Sequence, residues 1–121
     1  NTKKAFSSKY DKPTCFILLA DQSPSNLKRA IWLDFLGIDT ACLHGPEYYS
    51  KQYNIPILYV DVQRKKRGFY EVRYIPIIDE PGNTESGQIT KTYMNTLEMI
   101  IKLKPEHWLW SHKRWKRKRS K

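Results

Sequence analysis

The sequence predicts an α/β domain: a partial, mostly parallel sheet with one βαβ unit, a C-terminal β-hairpin and flanking helices. Three observations carry this. Residues Cys15 to Ala20 are six consecutive apolar residues between Pro13 and Pro24, the unbroken hydrophobicity of a strand covered on both faces. Residues 55–62 form a second run rich in β-branched and aromatic residues, which favour pleated structure. A helix signal at Gly45-Pro46-Glu47 lies between them. A strand, a helix-bearing crossover and a second strand make a right-handed βαβ unit with its strands parallel.

Taken in order, residues 1–12 are polar and basic, with Ala5, Phe6 and Tyr10 placed as at the end of a helix. Residues 14–20 are the central strand, and Pro24 to Ala30 is a polar loop. Ile31 to Gly37 is a short apolar segment whose type periodicity leaves open; Trp32, Leu33, Phe35 and Leu36 are either core or the wall of a lipid-binding groove. Proline at the first helical position, Glu47 in the first turn and Asn54 as a stop define a helix over 45–54. The strand at 55–62 leads through the basic turn Gln63 to Gly68 into Phe69 to Ile75, which alternates polar with apolar and pairs antiparallel with 57–63. Residues 79–87 are a loop. Ile89, Tyr93, Leu97, Ile100 and Ile101, with Met94 beside them, recur at helical spacing and face the core. Pro105 opens a last short helix. A strand covered on both faces needs neighbours, and only two further strands follow; the rest of the sheet is expected in sequence preceding Asn1.

A chain of 121 residues, 40% apolar and 28% charged, fits one soluble domain, residues 1–121, with a flexible basic tail at 116–121. No apolar run approaches the roughly 18 residues of a bilayer span. Cys15 and Cys42 sit in apolar settings without metal-ligand spacing and read as buried, reduced thiols. The net charge is +10, but residues 113–121 carry seven positive charges and no negative one. Removing those seven leaves +3 for the body, so the basicity belongs to the tail and implies a polyanionic partner.

There is no glycine-rich phosphate loop, no nucleophile elbow and no metal-ligand cluster in the sequence. His107 and His112 are five apart, not the four that put two metal ligands on one helix face. Ligands of open α/β sheets gather beyond the carboxyl ends of the strands, which makes Asp21, Gln22 and Ser23 site candidates; the plain alternative is a helix cap or Asx-turn. With parallel strands Arg64 falls on the same edge, where an arginine holds a phosphate or a carboxylate. His44 is either a loop histidine or a residue at the mouth of the sheet. Trp108, Trp110 and Trp115 alternate with Lys113, Arg114, Lys116 and Arg117. That composition suits an anionic membrane surface or single-stranded nucleic acid, while Trp108 and Trp115, seven apart, can instead dock on the domain.

The series Ala20-Asp21-Gln22-Ser23-Pro24, Phe35-Leu36-Gly37, His44-Gly45-Pro46-Glu47, Ile55-Pro56-Ile57, Gln63-Arg64, Gly68-Phe69-Tyr70 and Lys104-Pro105-Glu106-His107-Trp108-Leu109-Trp110-Ser111-His112-Lys113-Arg114-Trp115-Lys116 resembles the bacterial lipid A acyltransferases of the lauroyl/myristoyl type, within the lysophospholipid acyltransferase-like group. The resemblance covers residues 14–117. It implies transfer of an acyl chain from acyl carrier protein or acyl-CoA, as co-substrate rather than cofactor, to a hydroxyl of a lipid A-type acceptor. The implied setting is the cytoplasmic face of the bacterial inner membrane, with an anionic lipid surface as partner and no nucleic acid. The family's dyad is a histidine followed five positions later by Asp or Glu, the histidine acting as general base. The positions five after His44, His107 and His112 are Tyr49, His112 and Arg117, so the dyad is absent. The resemblance implies that Asp21 is an active-site carboxylate that orients a basic group or headgroup, with Gln22, Ser23, His44 and Arg64 as neighbours binding substrate. It also implies that the chain is the C-terminal half of a larger domain, inactive alone.

Overall fold

The computed structural model describes residues 1–120. Its helices are α1 (Thr2–Ser7), α2 (Gly45–Tyr53) and α3 (Gln88–Leu103); its strands are β1 (Ile31–Phe35), β2 (Ile38–Cys42), β3 (Ile57–Lys66) and β4 (Phe69–Ile78). The strands form two separate two-stranded sheets, β1 with β2 and β3 with β4, both antiparallel. The mixed helix-and-strand composition agrees with the sequence expectation; the mostly parallel sheet and the βαβ unit do not. The crossover region contains a hairpin of its own, and β3 spends its ladder on β4. Residues 14–20, expected as a doubly covered strand, belong to no sheet, with Ile17 85% and Leu19 79% exposed. Cys15, expected buried, is exposed; Cys42 is buried. Phe16 holds the segment in place by stacking on Phe6 of α1 at 4.1 Å, and Phe6 stacks in turn on Tyr49 of α2 at 4.4 Å.

The β1–β2 hairpin explains why 31–37 resisted a periodicity reading. Its turn is Leu36-Gly37, both at positive φ (55° and 76°), the backbone of a two-residue turn that matches strand twist. Glycine takes that conformation freely and leucine does not. The strain at Leu36 is offset by Glu98 of α3, whose Oε2 accepts from the Leu36 N–H at 3.0 Å. That bond, with Lys102 beside it, holds the Glu98 carboxyl below its ordinary range.

Helix α3 buries Ile89, Thr90, Tyr93, Met94, Leu97 and Ile101, the face its periodicity marks out. Four of these, Tyr93, Met94, Leu97 and Ile101, pack with Phe35 and Cys42 into the core; burying a large apolar side chain contributes about 1.5–3 kcal/mol. Helix α2 ends at Asn54 in the left-handed region, as its sequence suggests. Glu47, 5% exposed, reaches from the first turn of α2 to the start of α3. There its carboxylate accepts from the Gly87 N–H (2.6 Å), the Thr90 N–H (3.1 Å) and the Thr90 hydroxyl (2.5 Å). No side chain caps α3 at its own N-cap residue, Gly87, so this carboxylate satisfies the orphan donors of the first turn.

The β3–β4 ribbon has its faces inverted. Asp61 and Gln63 point inward and are 3% and 5% exposed, whereas Leu58, Val60, Val62, Tyr70, Val72 and Tyr74 lie on the outer face, exposed. Among the described residues no helix is long and apolar enough to cross a membrane.

Candidate functional site

Polar residues on the inner face of β3 open a cavity of about 220 Å³. Its lining is mixed: Asp21, residues 59–63 of β3, Leu97, Ile100 and Ile101 of α3, and Lys104, His107, Trp108 and Leu109 from the segment after α3. A chain of hydrogen bonds runs along it. Arg73 of β4 donates to Asp61 Oδ2 at 2.6 Å, Gln63 Nε2 donates to Asp61 Oδ1 at 2.6 Å, and His107 Nδ1 donates to Gln63 Oε1 at 2.9 Å. The buried carboxylate is thus satisfied at both oxygens, as burial demands. The bond to the amide oxygen fixes the orientation of the His107 ring at the cavity wall. Burial, with Asp61 and Asp21 nearby, pushes the Tyr59 phenol up to about 12, so it remains a neutral donor. A carboxylate, a phenol, an amide, an oriented imidazole and an indole around one cavity suit a ligand bearing hydroxyl groups.

The Asp21 turn is tied to the C-terminal segment. The Ser23 N–H donates to His112 Nε2 at 3.2 Å, and Pro24 is buried. The Ser23 hydroxyl is enclosed without a hydrogen-bond partner, an arrangement that costs about 1–3 kcal/mol. Asp21 and Gln22 are exposed.

His44 lines a different cleft, of about 440 Å³, with Pro24, Ser25, Asn26, Lys28, Arg29 and Leu43. Burial, reinforced by the Arg29 cation, lowers the pKa of His44. Arg64 joins neither cavity. In the antiparallel register it pairs with Tyr70 and shares the outer face with Val62, two residues before it. The edge expected to unite Asp21 with Arg64 does not exist, because the strands that define it are not parallel neighbours.

The C-terminal residues divide in two. Arg114, expected at a lipid surface, is 2% exposed; it donates to the Ala41 carbonyl at 2.7 Å and reaches Cys42 Sγ at 3.7 Å. Trp115 donates to the Thr40 hydroxyl at 2.8 Å, and both Trp108 and Trp115 pack against the core. Trp110, Lys113, Lys116 and Arg117 are exposed. The tail does not run wholly free: Arg119 pairs with Asp39 at 3.0 Å and lies over the Trp32 ring. Lys121 lies outside the described residues.

The two tied segments, Ala20 to Pro24 and Lys104 to Lys116, are those with the most distinctive sequence patterns. Residues 2–117 match the family described as bacterial lipid A biosynthesis acyltransferase. The chain belongs to that family. No curated protein sequence matches it. In this lipid A biosynthesis acyltransferase-family chain, Asp21, singled out from the sequence, lines the cavity, and the Asp61–Gln63–His107 chain beside it was not anticipated. The available signal was phase: in β3 the polar Asp61 and Gln63 alternate in step with Tyr59, while Leu58, Val60 and Val62 occupy the other face. A strand with apolar residues on one face and buried acid and amide on the other has a polar interior to serve.

Proposed function

We propose that the protein to which this chain contributes transfers a fatty acyl group from an acyl carrier protein or acyl-CoA thioester to a hydroxyl of a lipid A-type acceptor. In this reading the acceptor oxygen attacks the thioester carbonyl, a general base takes its proton, and the thiol leaves. The observation that carries it is the family match over residues 2–117, with Asp21 of the matched motif on the wall of a polar cavity. Asp21 orients the acceptor or a basic partner, Gln22 and Ser23 flank it, and His44 lines a separate cleft. The base is supplied from outside this chain, since none of its histidines has an acidic residue five positions on. The unpaired apolar segment Cys15 to Ala20 supports the same reading, as a strand available to the rest of the sheet. Trp110, Lys113, Lys116 and Arg117 face the anionic surface of the cytoplasmic side of the inner membrane.

Acyl transfer by the purified 121-residue chain and by the longer protein tests this directly. The chain alone is expected to be inactive. In the longer protein, Asp21→Ala is expected to abolish turnover with an unchanged melting temperature, and wild-type rates there would remove Asp21 from the site. Activity in the chain alone, lost in His107→Ala, would move the base to His107. The exposed basic and tryptophan residues also suit a nucleic-acid module; tight, salt-sensitive binding to single-stranded DNA without binding to anionic liposomes would favour that module instead.

A further inference from the structure

The outer face of the β3–β4 ribbon is built as an interface. In the antiparallel register Leu58 lies opposite Pro76, Val60 opposite Tyr74, Val62 opposite Val72 and Arg64 opposite Tyr70. Strand alternation puts these four pairs on one side of the ribbon, and Asp61 and Gln63 on the other. Arg64, at the end nearest the turn, is the one charged side chain among the eight. Leu58, Val60, Val62, Tyr70, Val72 and Tyr74 are 47–67% exposed. At ordinary side-chain areas that is roughly 700 Å² of open surface. It exceeds the largest apolar patch of most monomers and is close to the roughly 800 Å² that each partner buries in a stable interface.

The charges around this patch are segregated. Arg64, Lys66 and Arg67 are exposed at the turn, and Asp79 and Glu80 are exposed directly after β4 at the opposite end. Asp61 and Arg73 are cross-strand partners between those ends. Arg67 is six residues on from Asp61, and Asp79 is six on from Arg73, so cation and acid lie about 20 Å to either side of one level. A patch with that spacing is complementary to itself. A two-fold axis between two ribbons at the Asp61–Arg73 level sets the turn of each copy over Asp79 and Glu80 of the other.

We propose that a second copy of this chain docks there, giving an isologous dimer in which two β3–β4 ribbons pack face to face. Its centre is Val60, Val62, Val72 and Tyr74 of both copies, and its rim pairs Arg67 of one copy with Asp79 of the other. Apolar burial drives the association, and the rim pairs fix its orientation. The net charge of +10 opposes it. At about 0.15 M salt that repulsion is screened beyond roughly 8 Å, whereas the rim pairs act at shorter range. The polar cavity lies behind the opposite face, where Asp61 and Gln63 point, so each copy keeps its own cavity open. The interface goes beyond the acyl-transfer reading and stands if that reading fails.

The test follows the mass of the 121-residue chain by sedimentation equilibrium at about 0.15 M salt, from about 1 to about 100 µM. Wild type is expected to pass from monomer to dimer in that range and to stop there, because a two-fold interface closes on itself. Val62→Lys, which places a charge in the dry centre, is expected to weaken the dimer at least tenfold, and Val62→Thr, of the same shape, by less. Unchanged near-UV circular dichroism in Val62→Thr separates loss of the interface from loss of the fold. Arg67→Glu and Asp79→Lys are each expected to weaken it about fivefold, since every rim pair occurs twice. The double variant Arg67→Glu/Asp79→Lys is expected to recover wild-type affinity. Lys9→Glu, which changes the net charge as Arg67→Glu does but lies outside the ribbon, should not weaken the dimer. A chain that stays monomeric throughout assigns the face to another occupant and overturns the proposal. So does assembly beyond the dimer, undiminished association of Val62→Lys, or a double charge variant no tighter than the single ones.

Discussion

The Ser23 backbone N–H and the Nε2 atom of His112 are hydrogen-bonded at 3.2 Å across 89 residues of sequence. The bond fixes the turn that carries Asp21 against the segment that carries His107, so one contact sets two walls of the polar cavity. His112→Ala is therefore expected to cost about 1 kcal/mol of stability. It should also accelerate hydrogen exchange at the Ser23 amide well beyond its effect at core amides. His112→Asn, which retains an acceptor, should recover part of that protection.

Arg114 behaves as a core residue in spite of its charge. Arg114→Ala removes packing beside Phe35 and Trp115 and is expected to destabilise by about 3 kcal/mol in chemical denaturation. Arg114→Met keeps most of the volume and leaves the Ala41 carbonyl without its guanidinium donor, a loss of about 1 kcal/mol. Binding of folded Arg114→Met to anionic vesicles should equal wild type, whereas Lys113→Gln/Lys116→Gln should bind more weakly.

Tyr59 gives the fold an alkaline limit. Its pKa rises from the ordinary 10 to about 12 on folding, so its contribution is complete below pH 10 and is lost as the pH climbs through 12. The shift corresponds to about 3 kcal/mol. Stability curves of wild type and Tyr59→Phe between pH 8 and about 12 should converge at the alkaline end; parallel curves would assign the alkaline loss elsewhere.

Glu47 acts as a remote cap for α3. Glu47→Gln keeps the size but removes the charge that meets the Gly87 and Thr90 donors. It is expected to cost about 2 kcal/mol, measured by urea denaturation. Thr90→Val, which deletes one of the three bonds, should cost less.

Local signals in the sequence were faithful where one element satisfies itself. The spacing of Ile89, Tyr93, Leu97 and Ile101 located α3, Asn54 marked the end of α2, and the expected antiparallel pairing located the β3–β4 ribbon, although Gln63 to Lys66, expected in the turn, belong to β3. The failures involve partners. Continuous hydrophobicity at Cys15 to Ala20 describes what a strand needs, and no neighbour among the described residues supplies it. The β1–β2 hairpin escaped because its turn places Leu36, a poor left-handed residue, where asparagine or glycine is usual. Arg114 was read from its charge, but the fold carries it inward to the Ala41 carbonyl, a relationship no spacing encodes. A motif drew attention to Asp21, which lines the cavity; the Asp61–Gln63–His107 chain requires knowing which face of β3 is inside.

The inverted β3–β4 ribbon gives the chain an adhesive side, and its charge supplies the only general force keeping copies apart. At +10, two molecules repel before their Leu58, Val60, Val62 and Tyr74 faces can meet, provided the solution is dilute in salt. Screening removes that barrier while leaving apolar attraction intact. The protein should thus be colloidally stable at low ionic strength and associate as salt is added, the reverse of a protein salted in. In practice that sets how the chain can be concentrated, and it means apparent ligand affinities must be compared at matched salt.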